Sequence, residues 1–255
     1  MKTFDDMGVS ESLGYILVFA IVLTGIAGIV FFGVTMLNDA KDRNNFQNVE
    51  QGLTVVQSDL KRVAMEKAPV KTSKLHVEGG MLSTNFTSSS LRVDFNGNVY
   101  DHAIGNITYY SNTGLKTLSI ENGGLWKSVG YSAGDLGIAP PRIFSSSVNH
   151  AIVINVVRLE GTPSSYASSG TMNLVMEYAG NRVYTYTAPV PGDVTITVNT
   201  AYPNAWSRFI EESISGFTVT PVSISDSQMM MTISDVSEVI ISEHTVNIRP
   251  FYITS

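Results

Sequence analysis

The sequence predicts an α+β chain in which a long N-terminal helix, apolar at first and amphipathic afterwards, precedes an antiparallel β-sandwich-like domain. Three observations carry that reading. Leu13 to Leu37 are 25 consecutive residues without a charge, residues 46–63 carry apolar side chains at heptad spacing, and the remainder alternates apolar and polar residues between glycine-containing turns. The boundaries that follow are a leader over 1–8, a transmembrane helix over 9–37, an amphipathic extension over 38–69 and a β-rich exterior domain over 70–255.

At about 1.5 Å per residue, a helix as long as the uncharged run reaches roughly 37 Å, more than the ~30 Å hydrocarbon core of a bilayer. A buried core helix seldom stays uncharged on every side for so long, and a secretory signal has an apolar region of only about 7 to 15 residues. The run therefore reads as an anchor in membrane lipid. Charge gives a poor guide to its direction, because Lys2 is opposed by Asp5 and Asp6 in the leader while Lys41 and Arg43 follow the span. Two N-glycosylation sequons, Asn85-Phe86-Thr87 and Asn106-Ile107-Thr108, favour a cytoplasmic N-terminus and an extracellular C-terminal domain. Within the span Ala20, Thr24 and Gly28 recur every four residues and line one helix face with small side chains. Such a face lets another helix approach closely in lipid, although these residue types are common in membrane helices anyway.

Past the collar "NDAKDRNN", Phe46, Val49, Leu53, Val56, Leu60 and Val63 follow each other at alternating spacings of three and four. This is one stripe of an amphipathic helix that Pro69 brings to an end. At about two and a half heptads it is short for a self-sufficient coiled coil, so the expectation is docking on its own domain or on neighbouring subunits.

The exterior segment reads as roughly ten short strands. "LRVDF" is followed by Asn96-Gly97, "TLSIE" by Asn122-Gly123, and "NLVMEY" by Gly180-Asn181, all hairpin signals because such turns need positive φ. One helix is expected at "NAWSRFIEES", with Asn204 as cap and Trp206, Phe209 and Ile210 as its apolar face.

Composition excludes several kinds of chemistry. There is no cysteine, hence no disulfide, thiol nucleophile or cysteine-ligated zinc, and the net charge of −6 without a basic block argues against nucleic acid. His76, His102, His150 and His244 stand singly, so no metal site is expected. "DFNGN" sets Asp94, Asn96 and Asn98 at alternate positions, but Gly97 comes too early and Gly105 stands where a calcium loop needs its glutamate. No nucleophile elbow or phosphate loop is present, and Glu211 and Glu212 point about 100° apart on a helix. No cofactor and no catalytic residue is expected.

A polar leader, a small residue, "VSESLGYILVFAIVLTGIAGIVFFG", an amphipathic extension and a β-rich domain together resemble archaeal type IV pilin-like proteins. The opening "GVSE-LGY-L", with "NITYYSNTGLKTLSIENGGLWK", "GIAPPRI" and "YPNAWSRFIEE", looks more closely like an uncharacterised archaeal pilin-like family. The resemblance implies cleavage by a prepilin peptidase between Gly8 and Val9, followed by assembly with like subunits, as homo- or hetero-oligomers. Two features depart from that pattern: the leader is acidic, and Leu13 stands at the fifth mature position, where bacterial pilins place a glutamate. Two functions follow as expectations, a structural subunit of a type IV pilus-like surface filament, or a single-pass cell-surface binding protein that does not polymerise.

Overall fold

The computed structural model describes residues 5–130, 134–167 and 170–252, with side chains described from residue 13 to residue 250. Met1 to Phe4 of the expected leader lie outside them. The chain divides after Asn44 into two compact units. Helix α1 (Asp5–Met65) makes up the described part of the first and is the opening element of the second.

In the first unit no described side chain from Leu13 to Asn44 is buried, and Ile29, Phe31 and Met36 are each more than 70% exposed. This part of α1 is long and apolar enough to cross a bilayer. In the second unit the same helix behaves in the opposite way: Phe46, Val49, Leu53, Val56, Leu60 and Val63 are all buried. The helix ends at Met65, short of the expected boundary at residue 69, because Lys67 takes a left-handed conformation (φ 57°) two residues before Pro69.

Among the described residues fourteen strands follow, forming two sheets. Sheet B takes β2 (Met81–Asn85), β5 (Asn106–Tyr110), β6 (Lys116–Glu121), β7 (Gly124–Val129), β8 (Asp135–Ala139) and β11 (Ser164–Tyr166) in the order β11-β2-β5-β6-β7-β8. Sheet A takes β3 (Ser90–Phe95), β4 (Asn98–Ala103), β9 (Ile143–Ser146), β10 (Ala151–Gly161), β12 (Gly170–Asn199) and β14 (Gln228–Tyr252) in the order β4-β3-β12-β14-β10-β9. To these, β1 (Val70–Val77) adds alongside β12 and β13 (Thr218–Ser225) alongside β14.

Asn96-Gly97 and Asn122-Gly123 both turn with positive φ, joining β3 to β4 and β6 to β7. The hairpin expected at Gly180-Asn181 does not form. These residues lie inside β12, where the register with β14 shifts between Tyr178 and Gly180, so the glycine serves a bulge in one continuous strand. Likewise "MMMTIS" and "EVIIS" belong to the single strand β14. The wholly antiparallel expectation is also corrected, since β10 runs parallel to β14 over Ala151–Gly161.

Two apolar cores result, and a helix contributes to each. One gathers the α1 stripe with residues of both sheets, among them Leu75, Leu118, Leu159, Leu174 and Ile248. The other surrounds helix α2 (Pro203–Ser213), whose Trp206, Phe209 and Ile210 pack with Trp126, Val93, Ile196 and Met231. The adjacent residues Val156 and Val157 of β10 fall in different cores, so this strand is buried on both faces. The plain sheet-on-sheet core of the expected sandwich is thus replaced by one that α1 and α2 help to fill.

Asn204 does not cap α2. Tyr202 occupies the N-cap without a side-chain bond, and the carboxylate of Asp135 from β8 takes over, accepting from the Ala205 amide at 2.8 Å and from Asn204 Nδ2 at 2.9 Å.

Leu60→Ala, at a fully buried position, is expected to cost about 2–5 kcal/mol of unfolding free energy. Val55→Ala, on the exposed side of the same helix, should stay within about 0.5 kcal/mol. Urea unfolding of the full chain in a non-ionic detergent measures both.

Candidate functional site

Gly8 and Val9 lie within helical backbone that starts at Asp5, so no break in secondary structure marks the expected cleavage point. Their side chains lie outside the described residues. Of the small-residue face, Thr24 turns its hydroxyl onto its own helix, donating to the Ala20 carbonyl at 2.8 Å. Thr35, which the sequence reading passed over, does the same to Phe31 at 3.0 Å. Both hydroxyls are thereby satisfied without water, as lipid would require. A Cβ added at Gly25 or Gly28 would meet nothing within 4 Å, so this face is open in the single chain.

The stripe from Phe46 to Val63 is held by more than burial. Gln57 Nε2 donates to the Gly123 carbonyl at 2.6 Å, and Lys61 Nζ to the Pro140 carbonyl at 2.7 Å. Burial, reinforced by Arg142, lowers the Lys61 pKa. Glu50 pairs with Lys127 at 2.7 Å, and Lys127 and Lys116 lie 5.2 and 5.6 Å from the centre of the Phe46 ring. Asp59 is paired with Lys71 at 2.6 Å and accepts from Ser73 at 2.6 Å; burial acts to raise its pKa, but these bonds together with the charges of Lys71 and Arg62 prevail and lower it. Gly52 is needed for close approach, because a Cβ there would stand 2.5 Å from Leu75 Cδ1.

The two sequons fall on directly paired positions, Asn85 of β2 opposite Asn106 of β5. Asn85 begins a turn, its side-chain oxygen accepting from the Thr87 and Ser88 amides at 3.0 and 3.1 Å. The other sequon is closed in the folded chain: Thr108 is buried with its hydroxyl 2.8 Å from Ser119 Oγ, and Asn106 stands opposite Glu121 of β6.

Among the described residues no cluster of three or more His, Asp or Glu is placed to hold a metal. His102 does join a polar group missed in the sequence reading. Buried Glu243 of β14 accepts from the Tyr100 hydroxyl at 2.6 Å, lies 3.1 Å from His102 Nδ1 and has Arg158 at 3.7 Å. The Tyr100 and His102 rings stack at 4.6 Å. Burial, then the adjoining Glu243, raises the Tyr100 pKa steeply, so this hydroxyl keeps its proton and donates it. The only legible signal was the Tyr-x-His spacing, which sets both rings on one side of a strand. A groove of about 300 Å³ lies between β8 and α2, lined by Trp126, Leu136, Gly137, Arg208, Phe209 and Glu212, at the small end of ligand-pocket size.

The Glu243 group therefore acts as a staple between the β3–β4 hairpin and β14. Tyr100→Phe leaves that buried carboxylate one donor short and should cost about 1–3 kcal/mol in urea unfolding, with the fold retained by circular dichroism.

No curated protein matches the chain. The sequence pattern of a family of unknown function does, over nearly the whole length and across both units: the chain belongs to DUF7289, which it matches from residue 8 to residue 249.

Proposed function

We propose that this protein is a subunit, major or minor, of a pilin-like surface filament, inserted in the membrane by residues 9–37 and assembled through them. The N-terminus would be cytoplasmic and the sandwich-like domain extracellular. The observation that carries the reading is the contrast along α1. Its Phe46–Val63 stripe is consumed by its own domain, whereas the large apolar side chains from Leu13 to Leu37 stay exposed. Surface of that kind must be covered by lipid or by similar helices. In a filament, copies of this segment would cover one another, with the open Ala20, Thr24 and Gly28 face as the closest line of approach. Support for the filament over any other use of the helix comes from the pilin-like order of leader, span, extension and β-rich domain.

The second reading, a single-pass surface protein that does not polymerise, is favoured by the complete burial of the α1 stripe, which leaves none of it for neighbouring subunits.

Mass spectrometry of the native N-terminus is expected to find Val9, and intact Met1 in every molecule would remove the processed-subunit reading. Leucine at positions 20, 24 and 28 together should abolish assembly without preventing membrane localisation. Assembly unchanged by these substitutions counts against the small face; a protein found only as monomer in the membrane fraction, with or without them, establishes the second reading.

A further inference from the structure

We infer that Glu121 is a proton-operated latch at the junction of sheet B, the end of β12 and α2, holding these elements together most tightly while its carboxyl is neutral. Glu121 ends β6 and is 1% exposed. Its Oε2 accepts from the Thr200 hydroxyl at 2.6 Å, just past β12, and the Thr200 oxygen in turn accepts from the Tyr202 amide at 3.1 Å. Tyr202, at the N-cap of α2, reaches back to sheet B by donating to Thr117 Oγ1 at 2.9 Å. The Glu121 backbone carbonyl accepts from Trp126 Nε1 at 3.3 Å, and the Trp126 ring stacks on Trp206 of α2 at 4.7 Å.

The groups that face this carboxyl are Thr200 and Tyr202 from the β12–α2 link, Asn106 from β5 and Trp206 from α2. Only Tyr202 among them titrates, and none is a cation. Glu243 makes the contrast, since it is equally buried but has His102 and Arg158 beside it. An ion at Glu121 would be a buried charge without a counter-charge, the arrangement that favours the neutral form. Burial accordingly pushes its pKa up to about 7, against the opposing Thr200 hydrogen bond and the nearby polar groups of Trp206 and Asn106. Asn106 suits both states, since its amide can offer an N–H to the carboxylate or its carbonyl to the acid O–H.

The folded chain thus keeps a proton that the unfolded chain releases near pH 4.5. The stabilisation is complete below that pH, declines as pH rises and is lost once pH passes about 7. Two residues along, Gly123 receives Gln57 of α1, so the latch adjoins the seat of the helix. The inference holds for a filament subunit and for an anchored monomer alike.

The test compares urea unfolding of the full chain in non-ionic detergent, wild type against Glu121→Gln, at about pH 5 and about pH 8.5. The ratio of the wild-type to the variant unfolding constant should rise about a hundredfold between the two. A ratio constant within about threefold overturns the latch. A second readout uses folded wild type: infrared titration should show one protonated-carboxyl band persisting to about pH 7, and Thr200→Val, which removes a donor to the charged form, should move its midpoint higher. Loss of every acid band by about pH 5.5 in the wild type overturns the inference even if the glutamine variant does not fold.

Discussion

Everything in this molecule follows from a change of surroundings along a single helix. Backbone hydrogen bonding is the same throughout α1, but the side chains are not: from Leu13 to Leu37 every face is apolar, and from Phe46 onward only one is. A helix with one apolar stripe can finish burying it against a protein, because its polar side remains in water. A helix that is apolar all round has no such side and needs an enclosing medium. The charged collar between the two stretches marks the change of solvent that the proposed function requires.

The globular unit is organised around the seat of that helix. Gln57 and Lys61, one turn apart, reach the β6–β7 turn and the Pro140 carbonyl, while Asp59 ties the helix to β1 through Lys71 and Ser73. The β6–β7 turn gathers bonds from other directions as well. Asn122 Oδ1 accepts from the Val157 amide of β10 at 2.7 Å, and Glu121 meets Thr200. Within four residues the turn therefore touches α1, both sheets and the approach to α2. Its Asn-Gly pair is needed for the reversal itself, and Gly123 would also bring a Cβ to 3.1 Å from Val157 Cγ2. A turn readable in the sequence as a hairpin signal is also the place where the two cores are joined.

Two buried glutamates show how context, more than residue type, sets behaviour. Glu243 is surrounded by a hydroxyl donor, an imidazole and a guanidinium, and Glu121 by neutral donors alone. Removing a partner from the first leaves a charge exposed to a low dielectric; the second reduces the same penalty by holding a proton. Neither role was legible in the sequence, where Glu121 appeared only as the last residue of a strand. The burial of Thr108 beside Ser119 likewise draws the hydroxyl of an apparent glycan sequon into the interior.

The sequence by itself determined whatever depends on near neighbours: the uncharged span, the Phe46–Val63 stripe, the Asn96-Gly97 and Asn122-Gly123 turns, and the apolar face of α2. These follow from helical or strand periodicity and from backbone conformations that few residues adopt. Tertiary structure alone decided that Gly180-Asn181 would be a bulge, that β10 would run parallel to β14, that Asp135 would cap α2, and which carboxyls would be buried. Each of these pairs groups tens of residues apart, and the free energy that selects them comes from filling two shared cores. Local patterns carry no record of that requirement.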